Sequence, residues 1–271
     1  KPETTEIYRI PYGVPVPQQK AQRVPGRFRL AYVGRLAEEQ KRISDLTRAL
    51  CRVARQLLDT EAILYGDGPD RANVESILST EGSGLPIRLA GRVDSDHMQS
   101  MLLDCDVLVL LSDYEGLPIA VLEAMACGVV PVCLRMRSGI PELVQDAVTG
   151  LVVDDREESF VNAIRRLQHE PGLWERLSKA ARHKIEAEYS DHACVRRWAE
   201  LFHKLHEGNR DLKREIRVPD KLRLPPIHPA LASADPRPSG PSLQMRLYRR
   251  SRMFAGKIKR RLLGQPIGQV F

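Results

Sequence analysis

The chain has 271 residues, 42% of them hydrophobic, and a net charge of +7. That length suits one large domain or two small ones with a real core, and no apolar run approaches the ~20 residues a membrane-spanning helix needs. Five scattered cysteines, none in a CxxC spacing, argue against a disulfide framework or a structural zinc site and for a reducing, cytoplasmic compartment.

The charge is unevenly spread. Residues 208–271 hold 15 Lys+Arg against 4 Asp+Glu, leaving 27 against 31 for residues 1–207. The basic character therefore belongs to the tail. The chain opens KPETTEIYR without Met, which reads as a fragment or a processed product.

Residues 1–27 are rich in proline and turns and read as an extended connector. An alternating rhythm begins at Phe28. FRLAYVG (28–34) reads as a strand, and 43–58 as a helix with Ile43, Leu46, Leu50, Val53 and Leu57 on one face. Residues 62–65 form a second strand ending at Gly66, followed by a polar helix to about Ser79. A third strand, 87–90, ends at Gly91, and a short helix spans 95–103. Val107–Leu111, Val129–Leu134 and Leu151–Val153 complete the strands, with one helical turn at 140–144. Helices at 156–169, 172–188 and 190–206 follow, the last carrying a Trp198, Leu201, Phe202, Leu205 stripe that should pack on something.

Strands alternating with helices predict an α/β fold: a single Rossmann-like, doubly wound parallel sheet over 28–207, then C-terminal helices and a basic tail. Ligands of such sheets sit outside the carboxyl ends of the strands. That rule gathers Gly34–Lys41, Gly66–Pro69, Gly91–Val93, Ser112–Pro118 and Arg135–Pro141 onto one rim.

Within this pattern the stretch Asp113–Gly128, DYEGLPIAVLEAMACG, places Glu115 in a loop and Glu123 on a helix between two buried strands. Two carboxylates at one strand end are expensive to bury without hydroxyls or cations to bond, so the stretch reads as a ligand site. The alternative is a plain strand-turn-helix with one glutamate as a cap and the other solvated.

These residues resemble the donor-binding, C-terminal half of retaining glycosyltransferases of the two-Rossmann-domain GT-B type, the group 1 family. The Glu115…Glu123 pair is similar to the family's paired-glutamate signature. Tyr32-Val-Gly-Arg-Leu36, Lys41, Tyr65-Gly-Asp-Gly-Pro69, Pro131-Val132, Pro141-Glu-Leu-Val144 and Thr149-Gly-Leu151 stand in the family's order. Ile10-Pro-Tyr-Gly-Val14 resembles its inter-domain segment, with Tyr12 in place of Asn. The resemblance covers about residues 8–206 and leaves out the N-terminal, acceptor-binding half.

The resemblance implies metal-independent, retaining transfer from a nucleoside diphosphate sugar to a sugar or lipid-linked acceptor, with no activity expected of this half alone. Arg35 and Lys41 would stabilise the leaving diphosphate, Arg as a planar fork and Lys as a point charge. Otherwise they are a surface pair at a helix N-terminus, where the helix dipole disfavours cations. Glu123 would accept the ribose hydroxyls and Glu115 those of the donor sugar. Gly34 and Gly66 border the donor, Arg92 and Val93 border the base, and the N–H groups of Gly116, Leu117 and Ile119 offer an anion site beside Pro118. Glu142 either positions the diphosphate loop or caps the turn after Pro141. The competing class is a non-catalytic nucleotide-binding or scaffold module.

No metal or cofactor is expected. Asp94-Ser-Asp96 and Asp104-Cys-Asp106 read as Asp-x-Asp, but each precedes a helix or strand, where capping is the commoner role. The histidines show no ligand spacing, and the glycines make no GxGxxG of the NAD type. In the tail, 225–241 is a Pro-rich linker and 242–263 a basic amphipathic candidate helix. It suits an anionic membrane surface at the inner face of a membrane, or is a solvated run; nucleic acid is not favoured.

Overall fold

The structure, a computed structural model, describes residues 6–136 and 139–208. The strands are β1 (Phe28–Val33), β2 (Thr60–Tyr65), β3 (Ile87–Gly91), β4 (Val107–Leu110), β5 (Val130–Leu134) and β6 (Leu151–Val153). They form a single parallel sheet in the order β3-β2-β1-β4-β5-β6. Every residue of β4 and β5 is buried, as a parallel strand covered on both faces requires. The edge strand β3 instead alternates half-buried and exposed.

The helices are α1 (Glu38–Lys41), α2 (Ile43–Gln56), α3 (Arg71–Thr80), α4 (Ser95–Leu103), α5 (Ile119–Ala126), α6 (Ile140–Leu143), α7 (Glu158–His169), α8 (Leu173–Lys184) and α9 (Asp191–Gly208), with a π-helical turn, Ile185–Tyr189, between the last two. α2 buries Ile43, Leu46, Leu50 and Val53 at helical spacing and packs against α3 and α7. On the other side α5 packs against α4 and α8. Among the described residues no helix is long and apolar enough to cross a membrane.

The chain runs outward from β1 to β3 and returns to β4, so β1 and β4 are neighbours, with Leu30 opposite Val107. This reversal is the topological switch point of a doubly wound sheet. It sets the loops after Gly34 and after Leu111 side by side.

Two features go beyond the sequence reading. The rim loop before α2 contains a helical turn of its own, α1, and Arg42 joins the two helices in the left-handed conformation (φ 50°). Four residues are too few to show a period. The connector is also tied down. Val14 N–H donates to Tyr189 O at 2.9 Å, Ala21 N–H donates to Cys127 O at 2.8 Å, and the Arg182 guanidinium donates to Pro17 O and Gln19 O. The tail, with its linker at 225–241 and candidate helix at 242–263, lies outside the described residues.

Candidate functional site

Backbone bonds knit the rim over β1–β3. Gly34 N–H donates to Tyr65 O at 3.0 Å, and Gly66 N–H donates to Gly91 O at 2.7 Å. The strand ends approach so closely at Gly66 (φ 149°) that a Cβ there would lie 1.8 Å from Gly34 O, so only glycine fits. Around this point Gly34, Arg35, Gly66, Asp67, Arg92 and Val93 line a groove of about 290 Å³. Arg35 is exposed, and its guanidinium has no partner among the described residues. Its carbonyl is held from below: the hydroxyl of buried Tyr32 donates to Arg35 O at 2.8 Å.

Across the switch point, α1 meets the loop of the first glutamate. Lys41 Nζ lies 2.6 Å from Glu115 Oε1, with the side chains only 16% and 7% exposed. Gln40 Nε2 donates to Tyr114 O at 3.0 Å and to Glu115 Oε2 at 3.4 Å, and Asp113 N–H donates to Gln40 O at 3.0 Å. Asp113 is further held between Arg42, at 3.7 Å, and Arg156, whose Nε also donates to Leu111 O at 2.9 Å. The Glu115 carboxylate reaches inward: together with burial, the larger cause, it pushes the Tyr32 hydroxyl and the Cys133 thiol well above their usual ranges.

Glu123 is the one polar residue of an otherwise apolar helix. In α5 its neighbours Val121, Leu122, Ala124, Met125 and Ala126 are all buried. The carboxylate is half-buried without a side-chain partner among the described residues, and burial raises its pKa. It faces a second cleft of about 580 Å³ with Arg92, Val93, Asp94, His97 and Met98. The two clefts share Arg92, Val93 and Met98 and so form one continuous edge.

Between the glutamates, the loop keeps backbone donors free. The N–H groups of Gly116, Leu117 and Ile119 have no acceptor among the described residues, and Pro118 precedes α5. A Cβ on Gly116 would meet nothing within 4 Å. Its carbonyl accepts from Gly139 N–H at 3.0 Å, and a Cβ on Gly139 would lie 2.2 Å from Gly116 O, so the loop after β5 presses directly on this one.

Gly34, Arg35, Gly66, Arg92, Val93 and Glu123 thus share the joined clefts, whereas Lys41 and Glu115 meet each other. Glu142 forms an ion pair with Arg9 of the connector. Asp104 pairs with Arg27 and Arg29, and buried Asp106 accepts from Arg29 N–H at 2.7 Å, at the amino end of β4, opposite the rim. Asp94 precedes α4 without a side-chain cap, contrary to the role expected of it. Sequence reasoning missed Tyr32, Gln40, Arg42, Asp113, Gly139 and Arg156. An aromatic in an aliphatic strand two residues before the rim glycine is a usable signal for Tyr32; Gln40, Asp113 and Gly139 lie in segments expected on the rim but have no individual signal, and Arg42 and Arg156 have none.

The Trp198 stripe stays largely open. Val195, Trp198, Phe202 and Leu205 are exposed, the rings of Trp198 and Phe202 stacking 5.5 Å apart. Leu201 instead turns toward Tyr8, Arg9 and Ile10 of the connector.

The fold is of the doubly wound class, in which ligands sit at the switch point, and here cations, carboxylates and backbone donors flank that point. Residues 17–184 match the family described as glycosyl transferases group 1, and the chain belongs to that family. The alpha-D-kanosaminyltransferase of Streptomyces kanamyceticus is 30% identical over 175 residues, 64% of this chain and 45% of that one. The chain spans about half the length of the curated relatives it matches. Among solved structures, S. aureus TarM in complex with Fondaparinux, alpha-GlcNAc-glycerol and UDP superposes with a TM-score of 0.64 at 20% identity, over 74% of this chain and 40% of TarM. The C-terminal domain of LpcC from Francisella tularensis does so at 0.54 and 20% identity, over 62% of this chain and 89% of that domain. At these identities the structures establish the GT-B half as the shared fold, and the chain corresponds to its C-terminal half.

Proposed function

We propose that residues 28–207 form the donor-binding half of a glycosyltransferase, which takes a nucleoside diphosphate sugar and, with an N-terminal half, transfers the sugar with retention and without a metal. The observation that carries this reading is Glu123: a half-buried carboxylate without a side-chain partner among the described residues, opening onto the cleft of Arg92 and Val93. A vicinal diol supplies the two hydroxyls such a carboxylate lacks. The base then lies along Arg92 and Val93, and the diphosphate runs past Gly34 and Gly66 to Arg35. As the glycosidic bond breaks, the diphosphate gathers charge, which the Arg35 fork, the Lys41 ammonium and the free N–H groups of Gly116, Leu117 and Ile119 offset. Glu115 accepts hydroxyls of the donor sugar. TarM, whose complex contains UDP, supports a nucleotide as part of the ligand.

The N-terminal half would bring a sugar or lipid-linked acceptor, and the exposed Trp198–Phe202 face offers it a docking surface. Residues 1–27 serve as the connector between halves. The basic tail, 208–271, is proposed to hold the enzyme to an anionic membrane surface on the cytoplasmic side; co-sedimentation with anionic vesicles that is unchanged on removing the tail would overturn that role.

Calorimetric titration of the chain with UDP, GDP and ADP tests the core reading. One of them should bind with EDTA present, and Glu123→Ala should weaken it; no binding by any at millimolar concentration sinks the proposal. With the N-terminal half supplied, the anomeric configuration of the product, read by NMR, checks retention.

A further inference from the structure

We infer that Gln40 is a positioning residue for the donor sugar: its side-chain amide holds the Glu115 carboxylate in place when Lys41 turns to the diphosphate. The inference rests on the reading of Glu115 as the acceptor for the sugar's hydroxyls.

Lys41 has one ammonium and two claimants. In the structure it is spent on Glu115 Oε1 at 2.6 Å. A diphosphate with more negative charge draws it away, and Glu115, 7% exposed, then needs another donor. Gln40 is the group already in reach. Its Nε2 donates to Glu115 Oε2 at 3.4 Å and to Tyr114 O at 3.0 Å, while its own carbonyl accepts from Asp113 N–H at 3.0 Å. One residue therefore grips three successive residues of the loop, Asp113, Tyr114 and Glu115, from backbone and side chain together. A neutral amide is also the right chemistry: it bonds a carboxylate, but phosphate does not compete for it as it competes for an ammonium. Because Oε2 is shared with a weak, long contact, Oε1 is left open for a sugar hydroxyl once Lys41 has moved. Gln40 thus acts on the sugar through Glu115 and leaves the nucleotide untouched.

Calorimetry on the full chain separates these effects. The probes are UDP, GDP and ADP, paired with UDP-glucose, GDP-mannose and ADP-glucose, and the readout is the ratio of affinities, sugar nucleotide over diphosphate. Gln40→Met should lower that ratio about 5- to 10-fold and leave the diphosphate affinity within about twofold. Gln40→Glu, which sets a second carboxylate beside Glu115, should lower it further. Equal losses for both ligands assign Gln40 to loop folding alone and overturn the inference. So does an unchanged ratio in Gln40→Met when Glu115→Gln lowers it. A ratio unmoved by Glu115→Gln overturns the sugar role of Glu115 itself, and the role of Gln40 with it.

Discussion

The Lys41–Glu115 pair allows the sharpest test of how the rim is held before any ligand arrives. At an effective dielectric of about 20, unit charges 2.6 Å apart attract by about 6 kcal/mol. Most of that is offset by the desolvation of both ions. With side chains 16% and 7% exposed, the pair stands between a surface bridge, worth about 0–1 kcal/mol, and a fully buried one, whose disruption costs about 3–5 kcal/mol. Lys41→Met strands the less exposed partner, Glu115, with only the long Gln40 bond among the described residues, and should cost about 2–4 kcal/mol. Glu115→Gln strands Lys41, whose long stem reaches water, and should cost about 1–2 kcal/mol. The double variant should recover most of the loss, leaving a coupling of about 1.5–3 kcal/mol. Urea unfolding of the four proteins measures this cycle. Half-molar salt should change the coupling little, because a buried pair is poorly screened. Lys41→Met within about 0.5 kcal/mol of wild type, or strictly additive losses, would refute a desolvated pair.

Burial raises the folded pKa of Glu123 above its unfolded value, so ionising it costs stability in the folded chain. Below the unfolded value, about 4.3, both states hold the proton; as pH rises through the folded value, wild type loses stability that Glu123→Gln keeps. Thermal melts should place Glu123→Gln about 1–3 °C higher at pH 7, with the gap closing toward pH 4, while its nucleotide affinity falls about tenfold. Gly66→Ala meets Gly34 O at 1.8 Å and should cost about 3 kcal/mol or more in urea unfolding. Gly116→Ala meets nothing within 4 Å and should fold within about 0.5 kcal/mol of wild type, yet weaken sugar-nucleotide binding in calorimetry by crowding the loop's approach. Tyr32→Phe removes the bond to Arg35 O and should cost about 1 kcal/mol together with a few-fold loss of diphosphate affinity.

The sheet was legible because its strands are apolar runs too short for helices, punctuated by glycine or polar turns. Every strand from Phe28 to Val153 lies where the alternation places it, to within two residues. The strand order was not, since β4 and β5 are buried alike and neither names its neighbour. Glu115 and Glu123 stood out because a carboxylate between two buried strands conflicts with its surroundings. Their partners did not stand out. Lys41 is expected at the diphosphate, not against Glu115, and Gln40 and Arg42 read as an ordinary polar approach to α2. Only the fold brings them against Asp113–Glu115, more than seventy positions further on.

Arg42 shows how a tertiary arrangement hides from pattern. A residue joining two helices in the left-handed conformation is usually glycine, because a side chain there is strained. Here the side chain has ion pairs on both sides of the joint, with Glu38 and Asp45 near it and Asp113 across from it. The joint aims Gln40 and Lys41 at the Glu115 loop, and the ion pairs fix the joint. Arg42→Gly relieves the backbone and deletes the bracket, so the two contributions to stability oppose each other. Binding separates them: if the bracket matters, the glycine variant keeps its melting temperature but loses sugar-dependent affinity in the same calorimetric ratio that reports on Gln40. An unchanged ratio would make the strained backbone an accident of packing at the α1–α2 joint.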